Sequence, residues 1–126
     1  MSKSKKFSLN ARIKSFKYAI DGLKDLFVYE HNARIHFFVA FIAVMFGFIL
    51  KISSLEWIGM VICIGLVIIT ETLNTSIERI ADFVSPQRHQ DIKVIKDLSA
   101  AAVLISVVVA VIVGLIIFLP KLLILI

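Results

Sequence analysis

Between Glu71 and Asp82 the chain reads ETLNTSIERIAD, a cluster of polar groups at the end of a long apolar run. A helix turns about 100° per residue. Glu71, Asn74, Thr75, Glu78 and Asp82 therefore share one stripe roughly 100° wide, and Leu73, Ile77 and Ile80 take the opposite face. Ionisable groups in or at the edge of a membrane helix are costly and usually functional. Three carboxylates on one stripe suit a bound cation better than they suit each other. Glu30, Arg34, Arg88, His89, Lys96 and Asp97 lie on the same side of the apolar segments. Such a set fits a Mg²⁺–polyphosphate, because the metal takes a few carboxylates plus phosphate oxygens. Basic groups meet the remaining phosphate charge. A deeper carboxylate can orient an attacking hydroxyl and accept its proton. Neither GxxxxGK[ST] nor GxGxxG is present. The residues alone thus leave three readings open: phosphorylation of a membrane lipid, an ion or proton pathway, and a carboxylate helix used for assembly.

The elements that must hold this stripe are membrane helices. The 126 residues make at most one domain. A hydrophobic content of 60% and a mean hydropathy of +0.97 exclude an ordinary soluble globule. Ile35–Leu50 and Leu55–Thr70 hold about 16 apolar residues each, and Leu98–Leu119 about 22, against the roughly 20 that span a bilayer. Flanking residues such as Lys51 and Trp57 extend the shorter two into the interface. Three spans are expected, at about 35–50, 55–83 and 94–119. Leu55 to Thr70 rises ~24 Å, which places Glu71 near one edge of a hydrocarbon core ~30 Å thick. Glu78 and Asp82 then reach headgroups and water.

The net charge of +5 has a topology. Eight of the 14 Lys and Arg precede the first span, and Arg79, Arg88, Lys93 and Lys96 lie between the second and third. Only Lys51 and Lys121 fall at the other ends. Basic residues mark the cytoplasmic side, so the N-terminus and second connection are expected there. The excess serves orientation and anionic lipid rather than nucleic acid. No cleavable signal peptide is expected. Cys63, alone and within a span, reads as packing.

Upstream, Ile13, Phe16, Ile20, Leu23 and Phe27 recur at spacings of three and four. This predicts an amphipathic helix over about 11–30 lying in the cytoplasmic interface, with Tyr18 as an anchor. Glu30 and Arg34 form an i, i+4 pair at the foot of the first span. Its phenylalanines read as lipid-facing bulk, and His36 as structural. Ser85-Pro86 ends the second helix, and the third starts near Lys93, where Asp97 can pair with Lys93. Ala102, Ser106, Ala110 and Gly114 form a small-residue ridge that lets another helix approach.

The stripe resembles the signature of the small integral-membrane bacterial diacylglycerol kinase/undecaprenol kinase family, E-x-[apolar]-N-[ST]-[SA]-[apolar]-E-x-x-x-D. The resemblance runs from Phe7 to Leu119 through FKYAIDGLKDLFVYEHNARIH, LKISSLEW, VSPQRH and IKDLSAAAVLI. Ala81 departs from it, standing where a bulkier apolar residue is usual. The resemblance implies an all-α membrane protein with three transmembrane helices behind an N-terminal amphipathic surface helix. It also implies homotrimers with sites at subunit interfaces, a role that the ridge fits. The implied reaction is ATP- and Mg²⁺-dependent phosphorylation of a lipid primary hydroxyl, on undecaprenol or diacylglycerol, in the bacterial cytoplasmic (inner) membrane. Glu71 resembles the catalytic base and Asn74 its neighbour. Glu30 and Glu78 resemble the Mg²⁺ ligands, and Lys96, Asp97 and His89 the nucleotide-binding set. Tyr18, Gly22 and Arg12 resemble surface-helix residues lining the site. Arg88 enters on electrostatic grounds alone, as a phosphate contact. EHNARIH, LKISSLEW and VSPQRH look closer to the undecaprenol kinase branch. The rival reading from another class is a non-enzymatic oligomeric proton or cation conductor using the same carboxylates.

Overall fold

A computed structural model describes residues 6–87 and 89–126. It is all helical: α1 (Leu9–Tyr29), α2 (His31–Ile49), α3 (Ser54–Val84) and α4 (Gln90–Leu125). The last three are long and apolar enough to cross a membrane. α1 is capped by Ser8, whose hydroxyl accepts from the Ala11 amide at 3.3 Å. Of its residues only Leu26 is buried, and the stripe from Ile13 to Phe27 stays exposed.

The break between α1 and α2 is one residue long. Glu30 adopts an extended conformation (φ −104°, ψ 112°), with its amide bonded back to Leu26 and its carbonyl accepting from Arg34. The expected Glu30–Arg34 side-chain pair does not form. With Glu30 outside the helix, the Arg34 guanidinium lies instead 3.3 Å from His31 Nδ1.

The α2–α3 connection has its own logic. Lys51 sits at φ 52° in the left-handed region. Its amide bonds to Phe48 O and the Ile52 amide to Gly47 O, closing α2 with paired back-bonds. This delivers Ile52 into a buried cluster with Met60 and Ile117. Ser53 and Glu56 then cap α3 reciprocally, at 3.2 and 3.0 Å. Trp57 is more than an interfacial aromatic. Its ring packs on Phe48, and a Cβ at Gly47 would stand 2.8 Å from it, so only glycine fits there.

α3 and α4 form an antiparallel hairpin joined by polar pairs at several depths. Asp82 meets Lys96, Asn74 meets Ser99, Thr70 meets Ser106 at 2.8 Å, and Glu56 meets Lys121 at 2.6 Å. Each pair satisfies groups that hydrocarbon cannot. Within this hairpin the small-residue ridge is engaged at Ser106, while Ala102 is exposed and a Cβ at Gly114 would meet open space. Ser106 is 2% exposed, and Ala110 and Gly114 line an apolar cavity of about 290 Å³ shared with α2 and α3. α4 begins three residues before Lys93, because the His89 imidazole caps it by accepting from the Asp91 amide at 3.1 Å. It also continues through Pro120 to Leu125.

Candidate functional site

Glu71 is the deepest carboxylate of the stripe and is 4% exposed. One helix away, His36 Nε2 lies 3.6 Å from Glu71 Oε2. A residue read as structural from its sequence position is thus the imidazole neighbour of the central acid. One turn below Glu71, Asn74 divides its amide between two duties. Its carbonyl oxygen accepts from the buried Ser99 hydroxyl, and its NH₂ donates to Glu78 Oε1 at 3.5 Å. Ser99 on α4 therefore fixes Asn74, and Asn74 in turn steadies Glu78.

Closer to the loop, Asp82, His89, Lys93, Lys96 and Asp97 line an open cleft of about 610 Å³. Within it Lys96 pairs with Asp82, and Lys93 with Asp97 at 2.7 Å. Asp82 is accordingly part of a solvent-exposed interhelical ion pair. The cleft mixes two acids with two ammonium groups and an imidazole, a composition able to meet phosphate oxygens and a sugar hydroxyl. Arg88 lies outside the described residues.

A second groove, about 480 Å³, separates α1 from α3 and is lined by Gly22, Asp25, Thr75 and Arg79 among others. Arg79 crosses its floor to reach both Asp25 and Glu30, the latter at 3.3 Å. Tyr18 is exposed on α1, and Arg12 lies further out with its guanidinium 5.8 Å from the Phe7 ring centre. The structure thus gathers Glu71, Asn74, Glu78 and Glu30 into one region and Lys96, Asp97 and His89 into the adjoining cleft. It leaves Arg12 and Tyr18 on the outer surface of α1. Among the described residues no group of three or more His, Cys, Asp or Glu side chains is arranged to hold a metal unaided.

Residues 17–118 match the family described as prokaryotic diacylglycerol kinase. The chain belongs to this family. Its relatives carry the names of lipid kinases. It is 36% identical over 121 residues to a Bacillus subtilis (strain 168) protein named undecaprenol kinase, covering 96% of this chain and 98% of that one. It is 34% identical over 94 residues to a diacylglycerol kinase of Haemophilus influenzae, covering 75% and 80%. It is 31% identical over 100 residues to a diacylglycerol kinase of Escherichia coli (strain K12), covering 79% and 82%. With three apolar spans and this membership, the chain is a multi-pass bacterial membrane protein of a lipid kinase family.

Sequence reasoning missed His36, Ser99 and the Asp25–Arg79 pair. His36 carried a signal in being an imidazole inside an otherwise apolar span, where ionisable groups are expensive. Ser99 and Asp25 carried none, since small or charged residues near helix ends are common.

Proposed function

We propose that the chain is an ATP- and Mg²⁺-dependent lipid kinase, a single domain that phosphorylates the primary hydroxyl of undecaprenol at the cytoplasmic face of the inner membrane. The observation that carries this reading is the buried Glu71, paired with His36 and followed down the same stripe by Asn74 and Glu78. Glu71 accepts the proton of the lipid hydroxyl. The freed oxygen forms a bond to the γ-phosphorus while the bond to the bridging oxygen breaks and ADP leaves. His36 orients Glu71, and Asn74 keeps Glu78 in place. Glu30 and Glu78 would hold a Mg²⁺ that arrives on the nucleotide, a donor set that fits, since this ion commonly uses one or two carboxylates plus phosphates. The chemistry such an ion would supply there is neutralisation of charge developing on the transferred phosphoryl group. Lys96, Asp97, His89 and Arg88 receive the nucleotide, and Gly22 borders the site from the surface helix, on whose outer surface Tyr18 and Arg12 lie.

The exposed apolar stripe of α1 supports its placement in the headgroup layer, with the N-terminus cytoplasmic. The assembly is a homotrimer, as the resemblance of the signature implies. Ser106 bonds to Thr70 within the chain, and the exposed Ala102 keeps part of the α4 ridge available to a neighbouring subunit.

Both candidate lipids present a primary hydroxyl at the interface, so Glu71 does not choose between them. The near full-length likeness to the Bacillus subtilis undecaprenol kinase favours the polyprenol. A polyprenol also needs few polar contacts beyond the stripe, which suits the apolar wall of Phe16, Phe27 and Phe38. In one micelle with ATP·Mg²⁺ and both lipids at equal mole fraction, undecaprenyl phosphate is expected to dominate. A tenfold preference for diacylglycerol would overturn this choice and leave the kinase assignment intact.

A further inference from the structure

We propose that Arg79 is a cationic latch on the metal site, resting on Glu30 in the nucleotide-free protein and drawn aside onto Asp25 when the metal arrives. The inference rests on the assignment of Glu30 as a metal ligand. Arg79 is adjacent in sequence to Glu78, yet it turns away from the carboxylate stripe toward α1. One terminal nitrogen meets Asp25 and the other meets Glu30 Oε1 at 3.3 Å, so a single fork spans one acid within α1 and one at the α1–α2 break. The Glu30 contact is long for a charge-assisted hydrogen bond. All three side chains are partly exposed, at 49%, 41% and 30%. Such ion pairs are weak and exchange readily.

Glu30 is therefore not left as a bare carboxylate awaiting a cation. It already has one, and that cation has a second place to go. Asp25 is the reason Arg79 can leave Glu30 without becoming unpaired. Arg79 is a positioning residue that acts through Glu30, setting how tightly a divalent ion must compete to seat there.

A plain structural tie between α1 and α3 makes a different forecast, and opposite signs separate the two. The probe is a Mn²⁺-loaded, nonhydrolysable ATP analogue, its binding followed by water-proton relaxation on the full chain in detergent micelles. Arg79→Gln frees Glu30 and is expected to tighten binding about two- to fivefold, the range that exposed ion pairs command. Asp25→Asn leaves Arg79 wholly on Glu30 and is expected to weaken binding by a similar factor. A tie between helices forecasts weaker binding for both variants. General electrostatics toward an anionic nucleotide complex forecasts the reverse of each sign. Either pattern overturns the latch. Glu30→Gln is the control for the underlying reading. If it weakens binding while Arg79→Gln does not tighten it, the latch alone falls. If it leaves binding unchanged, Glu30 is no ligand and both fall.

Discussion

Glu71→Gln is expected to cut turnover by about 10²- to 10⁴-fold, the usual contribution of a positioned general base. The amide keeps the size and hydrogen-bonding capacity of the acid but cannot take the hydroxyl proton. Nucleotide affinity should be unchanged, because Lys96, Asp97 and His89 line a separate cleft nearer the loop. The variant is also expected to fold, since its side chain sits where a buried charge is replaced by a neutral group of the same shape. Steady-state kinetics with saturating lipid, alongside nucleotide binding to the same preparation, checks both halves. Near-full turnover in Glu71→Gln would remove the base assignment.

Glu78→Gln is expected to behave differently. Its carboxylate accepts from Asn74 at 3.5 Å, and a glutamine oxygen can still accept that bond. The loss is the negative charge offered to the metal. The Mg²⁺ concentration needed for half-maximal activity should rise by about 10- to 100-fold, on the scale seen when groups supporting a metal site are altered. Excess Mg²⁺ should recover a good part of the activity, whereas no amount should rescue Glu71→Gln. A Mg²⁺ titration of the two variants beside the parent protein reads this directly. An unchanged Mg²⁺ requirement in Glu78→Gln would show that the metal is held elsewhere.

The features that sequence made legible are those set by local spacing. Apolar runs bounded by basic residues give the three spans, because bilayer thickness fixes how much apolar chain is needed. The stripe from Glu71 to Asp82 follows from helical periodicity alone. What stayed hidden depends on partners distant in the chain. Asn74 and Ser99 are 25 residues apart, Thr70 and Ser106 36, Arg79 and Asp25 54, and Glu56 and Lys121 65. Nothing in the spacing of Ala102, Ser106, Ala110 and Gly114 says whether the approaching helix belongs to the same chain or another. Within the chain α3 meets this ridge at Ser106, through Thr70. The break near residue 30 was legible in the change from amphipathic to apolar pattern, but its one-residue length was not, since neither glycine nor proline marks it. The early start of α4 escaped notice because its cap is a histidine, outside the Ser, Thr, Asp and Asn set that normally announces a helix.

The central claim is that this carboxylate stripe moves a phosphoryl group rather than an ion. The most direct measurement incubates the purified protein in mixed micelles with a bacterial lipid extract, Mg²⁺ and ATP labelled at the γ-phosphate. Label is expected to appear in a lipid phosphate, to require Mg²⁺, and to vanish with Glu71→Gln. Proton or cation flux through the protein in sealed vesicles, with no label entering lipid, would contradict it.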